Sequence, residues 1–381
     1  MKVLLLSANT GEGHNSTGRA IMEALTLRGI ESHMEDALAY VSTGFSNFIS
    51  GWHVRIYRHC GKLFDKGYRR CEKTADPEEY SPVYDLLSLG VRRLYRTITG
   101  GGYDAVVCVH PFAGMMLTNV RRKFGLKLPT YLAATDYTCS PTVEQCDLDY
   151  YFIPSREQAA AFQRAGHSRL QLIPVGIPVR QAFYSREPKA QVRRRLGLPE
   201  EDVLALLMCG SMGCGPIEQV ARELEEKLPE HTTVIAVCGS NQQLYESMQP
   251  LESPRLRVLG FTKNIPEYMD AMDFIITKPG GLSSTEAANK HLPIIFLNVV
   301  GGCETRNFQY FLSQGFAEGS DSPEQVVLLA SELAMNPRLR QEMSEKLQQE
   351  FCHNTALEIA DRVARDVQRQ QALREQDTKQ D

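Results

Sequence analysis

Short apolar runs alternate with stretches of helical periodicity along most of the chain, the pattern of parallel sheets covered by helices on both faces. The runs Val3–Ser7, Ala105–Val109, Thr130–Ala134, Tyr150–Ile153 and Leu170–Val175 read as one set of five strands. A second set comprises Val203–Met208, Thr233–Val237, Arg257–Leu259, Phe274–Thr277 and Ile294–Leu297. Between the sets, from Pro174 to Pro188, three prolines and Gly176 interrupt any regular element. The pattern predicts two similar α/β domains, residues 1–176 and 177–350, followed by a C-terminal helix and tail over 351–381. From Asn354 onward the chain reads as one polar-to-charged helix, with Gln370 to Asp381 as a frayed end.

Composition agrees with two domains. At 381 residues the chain exceeds the size at which one hydrophobic core stops growing, and 43% hydrophobic content supplies two. A formal charge of −4 gives no global attraction to nucleic acid, so none is expected as a partner. The apolar run after Met1 and Lys2 ends at Leu6, too short for a signal peptide. No window approaches the ~18 apolar residues of a spanning helix, so a cytoplasmic location with peripheral membrane contact is expected. Ten cysteines are scattered without a Cys-x-x-Cys pair and read as buried free thiols.

Candidate chemistry begins where the first strand meets Gly11-Glu12-Gly13-His14-Asn15-Ser16 and a helix follows. Glycines at such a turn let backbone N–H groups approach a ligand, and the helix start favours negative charge. The spacing lacks the third glycine and the acidic partner of a dinucleotide site, which weakens a dehydrogenase reading. His14 at the loop mouth is either a general base or a helix-capping histidine. Three features follow in the second half: the glycine loop Met208 to Pro216 with Ser211, the segment Gly260-Phe261-Thr262-Lys263-Asn264-Ile265, and Thr277-Lys278-Pro279-Gly280-Gly281-Leu282-Ser283-Ser284-Thr285-Glu286-Ala287. Amides and hydroxyls at the Pro-Gly-Gly turn suit a diphosphate, and a carboxylate one turn later suits ribose hydroxyls. The competing reading makes Ser283 and Ser284 an ordinary cap and Glu286 its capping-box partner.

Together with Gly301-Gly302-Cys303-Glu304-Thr305-Arg306-Asn307, these motifs resemble the monogalactosyldiacylglycerol synthase and processive diacylglycerol β-glucosyltransferase family of the family 28 glycosyltransferases. The resemblance runs in order to about residue 365. It implies a GT-B fold: two Rossmann-like parallel-sheet domains facing a cleft, with the C-terminal helix returning to the first. By the same resemblance Phe261 contacts the base and Glu286 the ribose. Ser211, Gly280, Gly281, Leu282 and Ser283 lie at the donor's diphosphate, Gly13 also binds the donor, and Glu304 and Asn307 face the sugar or its phosphate. Cys303 stands where relatives commonly carry Gln, which opens the identity of the sugar, UDP-glucose or UDP-galactose. The implied reaction inverts the anomeric centre, with His14 or Asp136, in Ala134-Thr135-Asp136, as base and with no metal or other cofactor. Asp147-Leu148-Asp149 runs straight into a strand and reads as a surface edge rather than a metal site.

The acceptor implied is diacylglycerol or a glycolipid in an anionic membrane surface. Phe48, Trp52, Tyr57, Phe64 and Tyr68 interleave with Arg55, Arg58, Lys62, Lys66, Arg69 and Arg70, and further basic clusters lie at Arg92-Arg93-Arg96 and Arg121-Arg122-Lys123. Such segments settle at lipid interfaces, although a solvated helix with an aromatic core stripe gives the same pattern. Three other activities fit the same motifs: transfer of N-acetylglucosamine to a polyprenyl-linked or cell-wall acceptor, epimerisation of UDP-N-acetylglucosamine, and non-catalytic binding of a nucleotide sugar.

Overall fold

The computed structural model describes residues 1–9, 11–44, 46, 82–297, 299 and 301–377. Trp52, Arg55, Arg58, Arg69 and Arg70 lie outside the described residues. The chain divides into two units, Met1–Gln181 with Asn354–Asp381, and Ala182–His353.

The first unit carries six parallel strands, β1 (Lys2–Ser7), β2 (Glu31–Asp36), β3 (Ala105–Cys108), β4 (Thr130–Ala133), β5 (Tyr150–Ile153) and β6 (Leu172–Pro174), in the order β2-β1-β3-β4-β5-β6. Val3 to Leu6 and Val106 to Cys108 are fully buried, because strands covered by helices on both faces have no polar side to show. β2 escapes the apolar-run criterion. Its sequence Glu-Ser-His-Met-Glu-Asp is polar and partly exposed, as an edge strand paired only to β1 permits.

The C-terminal helix, Thr355–Asp377, belongs to this unit. Ala356, Ile359, Ala360, Val363 and Val367 are buried at helical spacing. Thr355 Oγ1 donates to Val175 O at 2.7 Å, Tyr131 Oη donates to Asp366, and Arg28 pairs with Asp361 at 2.5 Å. The stretch read as a frayed tail from Gln370 instead continues the helix to Asp377. Gln370 and Arg374 both donate to Lys127 O, which holds those turns down where apolar residues are sparse.

The second unit has β7 (Val203–Met208), β8 (Thr232–Val237), β9 (Leu256–Leu259), β10 (Phe274–Thr277), β11 (Ile294–Leu297) and β12 (Ala317–Ser320), all parallel, in the order β12-β11-β10-β7-β8-β9. The sixth strand, β12, is again an edge strand, and Ala-Glu-Gly-Ser carries no hydrophobic signature. In each sheet the first strand has neighbours on both sides, so the connections reverse direction beside it: between β1 and β3, and between β10 and β7. Parallel α/β sheets bind ligands at the carboxyl ends of strands at such points.

Two buried ion clusters brace the second unit. Arg193, on the helix Lys189–Leu196, is 4% exposed and donates to Ala271 O, Glu200 O, Asp202 O and Asp273 Oδ2. Lys290, just after the helix Gly281–Asn289, donates to Asp270 at 2.7 Å and to Ser185 O at 2.6 Å. Burial pushes the Asp270 carboxyl up and the Lys290 ammonium down, each toward its neutral form, so desolvation outweighs the attraction within that pair.

Asp273 behaves differently. Burial alone would raise its carboxyl, but Lys189, the Leu204 N–H and Arg193 more than offset this and hold it below the usual carboxylate range. A carboxyl depressed on folding stabilises above its unfolded value, about 3.9, and that contribution disappears as pH falls through the folded value. Asp273→Asn is therefore expected to cost about 3 kcal/mol near neutral pH. In urea unfolding, the gap to the unsubstituted protein should close below about pH 4. An equal gap at pH 3 and pH 7 would remove Asp273 as the origin.

Candidate functional sites at the two switch points

In the first unit β1 ends at Ser7, whose hydroxyl donates to Asn15 Oδ1 at 2.7 Å and ties the loop to the helix Glu12–Leu27. The helix cap is Gly11, in extended backbone, so His14 is not a capping residue. Instead His14 Nδ1 lies 2.9 Å from Val109 O, at the end of the adjacent β3. A carbonyl can only accept, so Nδ1 carries the proton and the neutral ring presents Nε2 as an acceptor. Thr135 Oγ1 is 3.2 Å from the same Nδ1 and donates to Asp136 Oδ2 at 3.4 Å. The two proposed bases therefore belong to one network with Thr135 between them.

His110 joins this cluster and was not singled out from sequence. Its Nδ1 accepts from the Phe112 N–H at 3.0 Å, capping the helix Pro111–Phe124, so it bears the opposite tautomer. The His110 ring stands edge-on to His14 with centroids 4.5 Å apart. The available signal was a histidine directly before a helix-starting proline at a strand end.

Asp147-Leu148-Asp149 is occupied structurally. Asp149 accepts from the Thr130 N–H and hydroxyl and pairs with Arg121 at 2.7 Å, while Asp147 lies 3.5 Å from Arg122. Arg121 and Arg122 thus each pair with an aspartate of this stretch, and Arg122 stays largely exposed. On the helix Val91–Gly100, Arg92, Arg93 and Arg96 are exposed.

In the second unit the loop after β7 is folded tightly against the loop after β8. Ser240 N donates to Ser211 O at 2.8 Å, and the Asn241 amide donates to Gly213 O at 3.0 Å. Gly213 has φ +56°, and a Cβ there would lie 2.0 Å from Cys238 O, so only glycine fits. Ser211, beside it, is exposed.

Across the switch point, β10 delivers Lys278-Pro279-Gly280-Gly281 into the helix Gly281–Asn289. No side chain caps that helix, which disposes of the capping-box reading of Glu286. The hydroxyls of Ser284 and Thr285 turn back to Gly280 O and Gly281 O. Gly281 and the helix from Ser284 to Asn289 are buried, whereas Gly280, Leu282 and Ser283 are partly exposed, so the helix opens only at its first turn. Glu286 is 8% exposed and Phe261 66%.

Asn307, fully buried, donates its amide to Pro279 O at 3.0 Å, and so holds the turn whatever else it touches. Glu304 lies 3.1 Å from Lys278 Nζ. Both residues come from the helix Cys303–Gln314. A first turn with uncapped N–H groups, a buried carboxylate and an exposed aromatic ring can hold phosphate, hydroxyls and a planar base respectively.

Comparison with known proteins gives the family. Residues 14–179 match the family model for monogalactosyldiacylglycerol (MGDG) synthase, and residues 204–361 match the glycosyltransferase family 28 C-terminal domain. The chain belongs to the monogalactosyldiacylglycerol synthase and diacylglycerol glucosyltransferase family. It is 28% identical over 343 residues to monogalactosyldiacylglycerol synthase 1, chloroplastic, of Arabidopsis thaliana, covering 85% of this chain and 63% of that protein. To the processive diacylglycerol beta-glucosyltransferase of Staphylococcus epidermidis it is 23% identical over 352 residues, covering 91% of this chain and 88% of the relative. The chain thus spans less than two thirds of the plant relative and most of the bacterial one.

Among solved structures, MurG of Acinetobacter baumannii superposes with a TM-score of 0.63 at 18% identity, covering 96% of this chain and 99% of that one. MnaA of S. aureus, solved with UDP, gives 0.61 at 16%, covering 94% of each. These likenesses establish the GT-B fold of this family 28 member.

The local geometry separates two kinds of glycine. Gly280 has φ −75°, and a Cβ there would meet nothing nearer than Lys278 Cε at 3.9 Å. Gly280→Ala is expected to leave stability within about 1 kcal/mol, whereas Gly213→Ala should lose more than about 2 kcal/mol through strain and clash. Thermal unfolding of the two variants checks this; equal losses would contradict it.

Proposed function

We propose that the chain moves a hexose from a UDP-sugar to the hydroxyl of diacylglycerol or a related membrane lipid, inverting the anomeric centre. The observation that carries this reading is His14, whose Nδ1 is committed to the Val109 carbonyl and whose Nε2 is therefore an acceptor at the mouth of the loop. An acceptor O–H gives its proton to Nε2 as its oxygen forms a bond to C1 of the sugar. The bond from C1 to the diphosphate oxygen breaks, and its electron pair leaves with UDP. Thr135 and Asp136 hold the opposite side of the ring and stabilise the imidazolium that forms.

On the donor side, the N–H groups at Gly281, Leu282 and Ser283 meet the diphosphate, Glu286 the ribose and Phe261 the uracil. Protein groups rather than a resident metal or other cofactor carry the leaving group's charge in this scheme. The names of the relatives support a diacylglycerol acceptor and a hexose donor. Glucose and galactose fit equally.

Among the described residues no helix is long and apolar enough to cross a membrane. We place the protein peripherally on the inner face of the cell membrane, attracted through the basic and aromatic residues between Phe45 and Arg70. Reversing the charges of Arg55, Arg58, Arg69 and Arg70 should release it from anionic vesicles in a sedimentation assay. Unchanged sedimentation would contradict that placement.

Catalysis is tested by UDP release with and without diacylglycerol. Release should require lipid, and His14→Ala should lower kcat by about 10²-fold or more. Thr135→Val should lower kcat by about tenfold with donor KM unchanged, because it breaks the link to Asp136. Lipid-independent release from UDP-N-acetylglucosamine would favour an epimerase, and no release a binding protein.

A further inference from the structure

Lys278 is a costly residue in its position. It follows β10 directly at the switch point, is 8% exposed, and is paired to Glu304, itself 7% exposed, at 3.1 Å. Buried ion pairs seldom repay their desolvation, so a turn that needed only to close would be served as well by an apolar side chain.

The side chain also spans two ligand-facing turns. A Cβ on Gly210, in the loop after β7, would lie 3.0 Å from Lys278 Cε and 3.7 Å from Nζ; on Gly280 it would lie 3.9 Å from Cε. Gly210, at φ +70°, leaves room for the lysine stem. The ammonium thus lies beside the loop after β7, next to the uncapped turn that begins the helix Gly281–Asn289.

We propose that Lys278 is the cation that binds the donor's diphosphate, and that Glu304 is the counter-ion it leaves when the phosphate arrives. This rests on the donor site proposed above. A nucleoside diphosphate brings two or more negative charges, and the charge on its terminal oxygen grows as the bond to C1 breaks. Helix amides supply partial charge only, whereas the ammonium supplies a full one and is strongest in a buried setting. Glu304 holds the side chain of Lys278 in place before the donor binds.

The proposal predicts opposite effects at the two partners of one ion pair. Binding is measured with UDP by calorimetry and with uridine by ligand-observed NMR, so neither sugar contacts nor turnover enter. Lys278→Gln should weaken UDP by about tenfold or more and leave uridine unchanged. Lys278→Arg should retain UDP binding to within a few-fold. Glu304→Gln should tighten UDP by about threefold or more, since it removes the group that competes with phosphate.

If Lys278→Gln binds UDP as the unsubstituted protein does, the inference is overturned while the donor site stands. If both neutral variants weaken UDP and uridine alike, the pair is a structural brace and the inference is likewise overturned. Failure of the unsubstituted protein to bind UDP would overturn the donor-site reading as well.

Discussion

A parallel sheet that grows outward in both directions from its first strand must send neighbouring connections to opposite faces, and this opens a crevice at the carboxyl ends of two adjacent strands. Each unit has one such place, between β1 and β3 and between β7 and β10. The chemistry-bearing residues of each unit lie in the loops that leave those strands and their neighbours. Val109 presents its carbonyl to His14 because β3 pairs with β1 in parallel register. Gly210 and Lys278 are neighbours because Met208 and Thr277 are register partners.

Charge is placed economically around these crevices. Arg193 and Lys290 are buried and bound to four and two acceptors respectively, which ties down the helix Lys189–Leu196 and the end of the helix Gly281–Asn289. Lys278 and Glu304 are buried too, but they lie beside the uncapped first turn of the helix Gly281–Asn289. In the first unit His14 and His110 touch with opposite tautomers, each fixed by a backbone group, so the local network sets which nitrogen of His14 can accept a proton.

Much of this was legible before the fold was known. The buried strands announce themselves as short runs of Val, Ile and Leu, and the Pro-Gly-Gly turn announces a strand delivering its chain into a helix. The edge strands β2 and β12 do not, because a strand covered on few sides can be polar. The helix persisted through Gln370 and Arg374 because of hydrogen bonds to Lys127, a contact far away in sequence. His14, Asp136 and Glu286 were visible as residue types in plausible loops. The roles of Val109, Thr135, His110 and Lys278 depend on which strands become neighbours, and no local pattern carries that information. Asp147 and Asp149, read from sequence as a surface edge, pair with Arg122, and with Arg121 and Thr130.

The reaction proposed for this chain is a single displacement on a lipid hydroxyl. The most direct measurement is mass spectrometry and NMR of the lipid recovered after incubating the protein with diacylglycerol vesicles and UDP-glucose or UDP-galactose. The account predicts diacylglycerol that has gained one or more hexose units in β linkage, formed in proportion to the UDP released. Unmodified lipid accompanied by UDP release, or a product that retains the donor's α configuration, would contradict it.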